Sequence, residues 1–171
     1  RVRGHTEEMA LIDVAVLRTE HIGARAIWDL DNIEALALTQ GRPGVLGLSA
    51  IGASVDPVGA EEPYGIWLEF GSRGERRGKR VLSPIGPGLL AATRIRMSRR
   101  MVFSEPVELS LQSAAVLAFD GERELSLGPG DRVRIQLDRK GPLVLDAPAI
   151  LEKAAKRGHL SVFGRNGLAL R

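Results

Sequence analysis

The chain has no cysteine, which excludes a disulfide framework, a thiolate metal site and a cysteine nucleophile. Aromatic residues make up only 4%, and none interleaves with the arginines. That is a poor composition for a surface that stacks single-stranded nucleic acid. The three histidines, His5, His21 and His159, share no ligand spacing, so no metal site is expected. No apolar run approaches the ~20 residues that cross a bilayer, and no signal peptide is visible. The expectation is a cytoplasmic protein with no membrane partner. Lysine is scarce as well. Lys79, Lys140, Lys153 and Lys156 are the only four among 24 basic residues, and the arginine excess is also what a GC-rich genome supplies. No nucleophile elbow and no Ser/His/Asp arrangement stands out, so no catalytic residue is assigned.

What is present is a set of short apolar runs between Gly/Pro turns. The clearest stretch is VLAFDGERELSLGPGDRVRIQL, residues 116–137. It reads as strand, turn, strand, turn, strand. Asp120-Gly121 is the dipeptide most favoured in two-residue hairpin loops, because glycine tolerates the positive φ such turns need. The return arm 123–127 alternates, Gly128-Pro129-Gly130-Asp131 is a second turn, and Val133, Ile135 and Leu137 share one face of the last strand.

Along the rest of the chain, residues 1–9 show no pattern and are expected to be flexible. Strands are expected at 10–17 and 21–28, with Asp29-Leu30-Asp31-Asn32 as the next turn. Residues 33–40 fit a strand, or a short helix capped by Asp31 or Asn32, and strand is preferred. Gly41-Arg42-Pro43-Gly44 breaks the chain, and no periodicity follows through LSAIGASVDPVGAEEPYG (48–65). Further strands are expected at 66–70, 80–85, 89–97 and 107–111. One helix, 148–157, carries Asp146 as cap, proline in its first turn, basic residues near its end and Gly158 as its stop. Roughly eight to eleven short strands with one late helix predict an all-β, mainly antiparallel sandwich. At 171 residues it is expected to form a single domain, 10–171.

In order along the chain, four stretches resemble the C-terminal domain of the ATP-NAD kinase family, on the branch that includes acetoin catabolism protein X. They are DVAVLRTEHIGARAIWD (13–29), GLSAIGASVDPVG (47–59), SPIGPGLLAATRIRM (83–97) and LAFDGERELSL with GPGDRVRIQL. The resemblance covers 11–158 and implies a β-sandwich of the NAD kinase C-terminal type, packed beside an N-terminal α/β domain. In the family that other domain carries a Gly-Gly-Asp-Gly motif, which is missing here. With Arg1 as first residue, the expectation is a C-terminal piece of a longer protein, inactive by itself. The resemblance implies ATP and NAD as the ligands of the full protein. Residues 47–59 sit where the family lines its dinucleotide site, although the better-known kinases have a fuller Thr-rich loop and a Tyr there.

Two readings stand beside each candidate residue. Asp120 and Gly121 are a hairpin turn on their own chemistry, and by resemblance a carboxylate turn near the dinucleotide. Ser49, Gly52 and Ser54 are small residues that suit close approach to phosphate or ribose oxygens, or an unremarkable loop. Arg25 is a phosphate or carboxylate ligand, or the outward face of an edge strand. Arg73, Arg76, Arg77, Lys79 and Arg80, with Arg94, Arg96, Arg99 and Arg100, suit a polyphosphate. The plainer reading is a solvated hairpin tip, and nucleic acid is an improbable partner. Trp28, Trp67 and Phe70 read as core or interface. The function expected is a contribution to nucleotide binding and to homo-oligomer assembly. The alternative is an assembly module that binds no small molecule.

Overall fold

In the computed structural model the described residues are 6–18, 29–72, 74–139, 141 and 145–160. By compactness the chain divides into two units, residues 1–139 and 140–171. The first is the β-domain. Among the described residues the second contains one helix, α2 (Ala147–Lys156), capped by the Asp146 carboxylate, which accepts from the Ala149 amide.

Nine strands form among the described residues: β1 (Asp13–Leu17), β2 (Ile33–Leu38), β3 (Tyr64–Phe70), β4 (Lys79–Gly86), β5 (Leu89–Val102), β6 (Val107–Ser110), β7 (Ala115–Phe119), β8 (Arg123–Leu127) and β9 (Arg132–Ile135). Seven make one sheet in the order β4-β5-β3-β2-β1-β7-β8, and β6 with β9 makes a second. Every ladder is antiparallel. The expected all-β, mainly antiparallel, sandwich-like fold is what forms.

The central strands are apolar on both faces because both faces are covered. On one side Ala15, Leu17, Leu36, Leu38, Ile66, Leu68, Val116 and Ala118 pack under Leu30, Ile51 and Val58. On the other, Val16, Ala35, Ala37, Trp67, Leu117 and Phe119 pack against Val107 of β6, with Leu109, Val133 and Ile135 alongside. Double burial explains why apolar residues fill both sets of alternating positions in 33–38, so that the stretch also fits a short helix. Leu36 and Ile33 are fully buried, and each such side chain contributes about 1.5–3 kcal/mol.

The turn before β2 is a 3-10 turn, Leu30–Asn32, and its cap is Asp29, whose side chain accepts from the Asp31 amide. Asp31 and Asn32 therefore lie inside the turn and cap no helix. Strand β5 runs five residues beyond the expected 97, because its second half pairs with β3 and its first half with β4. The expected strand 21–28 lies outside the described residues.

One element was not expected. Residues 48–53 form a short helix, α1 (Leu48–Ala53), with Ala50, Ile51 and Gly52 buried. Six residues give less than two turns of periodicity. Tertiary contact holds the segment helical, not its own propensity.

Candidate functional site

The segment 41–59 is fixed against the sheet by small residues and by hydroxyls turned inward. A Cβ on Gly52 would come 2.4 Å from Leu38 Cδ1, and one on Gly41 would come 2.9 Å from Ala53 N. Glycine at both places lets α1 lie directly on β2 and β3. The Ser49 hydroxyl donates to the Gln40 carbonyl at 3.0 Å. The Ser54 hydroxyl lies 2.9 Å from the Ala50 carbonyl, 3.3 Å from the Leu82 carbonyl and 2.9 Å from the Ser83 hydroxyl. Ser83 is fully buried. The Gly47 amide donates to the Pro84 carbonyl at 3.1 Å. Helix α1 and its flanks thereby satisfy two outward carbonyls of edge strand β4, which otherwise would invite another strand. Toward solvent the segment presents Arg42, Pro43, Leu46 and Pro57, together with Gly44 and Gly47 at φ 82 and 91 with open space around each.

The second candidate is the β7–β8 turn. Asp120 and Gly121 both have positive φ, 53 and 68, as the dipeptide predicts. The loop is nevertheless three residues long, since Phe119 pairs with Arg123. Asp120 has a second task. Its amide donates to the Asp13 carbonyl. Its carboxylate accepts from the amides of Leu11 (2.8 Å), Ile12 (2.7 Å) and Asp13 (3.0 Å). Arg123 adds an ion pair to Glu8 and a bond to the Met9 carbonyl, so the segment expected to be flexible is tied at residues 8 and 9.

These two regions border the same end of the sheet. Asp13 pairs with Leu38 across β1 and β2. From there a run of contacts leads outward in both directions. Thr39 Oγ1 donates to the Leu11 carbonyl, whose own amide reaches Asp120, and the neighbouring Gln40 carbonyl receives Ser49. Two strand spacings, roughly 10 Å, separate them.

Asp13 is the residue sequence reasoning passed over. Its Oδ1 is buried without a hydrogen-bond partner. Burial first, and then the charge of Asp120, push its carboxyl up to about 6. The available signal was a lone acid inside an apolar run. Gln40 Oε1 is a second buried acceptor with no partner.

Arg25, Trp28, His5, His21 and Arg73 lie outside the described residues. The remaining arginines are split. Arg96 pairs with Glu69. Arg100 pairs with Asp56 at 3.1 Å and stacks over Tyr64. Arg94 donates to the carbonyls of Arg76 and Gly78. Arg76, Arg77, Lys79, Arg80 and Arg99 are exposed. Trp67 is core, its indole N–H bonded to Glu69, and Phe70 is core as well. Among the described residues no group of three potential ligands is placed to hold a metal ion, and no helix is long and apolar enough to cross a membrane.

The fold and this sheet end define a class: an antiparallel, sandwich-like β-domain presenting a glycine-containing rim beside a carboxylate turn. The model of the acetoin catabolism protein X C-terminal domain matches residues 1–140. Acetoin catabolism protein X of Cupriavidus necator is 32% identical over 157 residues, 92% of this chain and 43% of that protein. The chain belongs to the acetoin catabolism protein X C-terminal domain family, and it spans less than half the length of that curated relative. No solved structure matches.

Proposed function

We propose that this chain is the β-domain of an ATP-NAD kinase-like protein and forms one wall of a nucleotide site, with the dinucleotide as its ligand. One observation carries the reading. The stretch that resembles the family's dinucleotide-lining loop, 47–59, and the Asp120-Gly121 turn, by resemblance a carboxylate near the dinucleotide, are far apart in sequence yet flank one sheet end. Because Ser49 and Ser54 spend their hydroxyls on Gln40, Leu82 and Ser83, ligand contact there falls to the exposed Arg42 side chain and the backbone around Gly44, a combination that suits phosphate oxygens. The ATP site and general base belong to sequence outside this chain, in keeping with phosphoryl transfer as a positioning problem. Titration of NAD, NADP and ATP against the protein is expected to give a saturable rise in melting temperature with at least one dinucleotide. In a coupled assay this chain alone is expected not to phosphorylate NAD. A flat titration at millimolar ligand would sink the reading.

A second reading, assembly, rests on the outer face of the β4–β5 hairpin. Leu82 and Leu90 are 61% and 62% exposed, with Leu89 and Leu46 also exposed. Leu82 lies opposite Ala92, Leu90 opposite Pro84, and Arg80 opposite Arg94. The occupant is a second copy. Packing of two hairpins about a two-fold axis would set leucine on leucine, with the Arg80–Arg94 pair at the rim of the patch. Sedimentation is expected to show a dimer that Leu90→Glu dissociates. A monomeric wild type excludes it.

A further inference from the structure

We propose that Asp13 and Asp120 form a proton-operated latch on residues 8–13, fastened when Asp13 holds a proton and slack when both carboxylates are charged. The segment leads into β1 and is fixed from three directions. Asp120 takes its three amides. Thr39 bonds the Leu11 carbonyl through its hydroxyl at 2.9 Å and the Ile12 carbonyl through its amide at 2.9 Å. Arg123 takes Glu8 and the Met9 carbonyl. Removing Asp120 would therefore strip three donors of their acceptor at once. The weak point is Asp13, whose amide feeds Asp120 while its own Oδ1 meets no donor. An ionised Asp13 sets a poorly solvated negative charge, with Oδ1 buried and unpaired, near the carboxylate that the latch depends on.

The groups facing Asp13 offer no relief. From the β7–β8 turn comes Asp120, an acid. From the adjoining end of β2 come Thr39 and Gln40, both uncharged, and Thr39 spends its hydroxyl on Leu11. Arg123 on β8, which belongs to the same latch, is engaged by Glu8 and the Met9 carbonyl. Desolvation and Asp120 together raise the Asp13 carboxyl to about 6, so the latch changes state just below neutral pH. A protonated Asp13 removes the repulsion and turns an orphan acceptor into a donor.

Two measurements test this on the intact chain. A carboxyl-carbon NMR titration of the wild type should find Asp13 titrating near 6. Titration in the ordinary carboxylate range overturns the proposal without any variant having to fold. Hydrogen exchange should then show the Leu11 and Ile12 amides about tenfold or more better protected near pH 5 than near pH 8, after correction for intrinsic rates. The Ala37 amide in mid-sheet serves as the control. Asp13→Asn, which keeps the shape without the charge, should show high protection at both pH values. Protection that ignores pH in the wild type, or responds equally in Asp13→Asn, overturns it.

Discussion

A Cβ on residue 65 would lie 2.3 Å from the Leu38 carbonyl oxygen, closer than any real side chain tolerates. The obstacle is backbone of a central strand, so it does not yield as a side-chain tip would. Gly65→Ala is expected to cost about 2–3 kcal/mol, seen as a lower denaturant midpoint with an unchanged slope. Gly59→Ala is the matched control, because nothing lies within 4 Å of its Cβ, and it should unfold within about 0.5 kcal/mol of wild type. Glycine at 65 thus specifies sheet packing, while Gly121, with φ 68, specifies a turn. Only the second kind is legible in sequence, since turn chemistry is local and a close approach depends on which strand arrives as neighbour. Asp120 shows both. Its turn was readable from the dipeptide, but its hold on Leu11 joins residues 109 apart in the chain, and no local pattern carries that.

At the scale of elements, strands were legible wherever one face met solvent, as in β8 and β9. Doubly buried strands were legible where Val, Ile, Trp or Phe marked them, as in β1, β3 and β7, and ambiguous in β2, whose Ile-Glu-Ala-Leu-Ala-Leu also suits a helix. Helix α1 was not legible because its stability comes from outside it. The Ser54 hydroxyl joins its last turn to Leu82 and Ser83 on β4, the Gly47 amide joins its entry to Pro84, and Ile51 fills the core beneath. Ser54→Ala removes a hydroxyl that has three partners and leaves the buried Ser83 hydroxyl short of one. A loss of about 1–2 kcal/mol is expected. The local readout is the amide of Gly47, which should exchange faster as α1 loosens from β4. An unchanged melting temperature together with an unchanged Gly47 amide would mean that α1 is held by its apolar contacts alone.

Across the β-domain as a whole, one half-buried acid is expected to bend the pH dependence of stability in an unusual direction. Most native carboxylates are stabilised in their charged form, so proteins lose stability on acidification. Asp13 behaves oppositely. Its folded value is about 6 against an ordinary 3.8. Between those values the folded chain retains a proton that the unfolded chain has released. Its favourable contribution is therefore complete below about 3.8 and is lost as pH rises through 6. At neutral pH the charged form costs about 2–3 kcal/mol, a sizeable part of a typical domain's total stability. Urea unfolding of the wild type should accordingly give higher stability near pH 5 than near pH 8. Asp13→Asn should raise stability at about pH 8 by most of that amount and change it little near pH 4. If instead the variant is less stable than the wild type at both ends, the Asp13 carboxylate is making a favourable contact in its charged form. Its orphaned oxygen would then have a partner in solution.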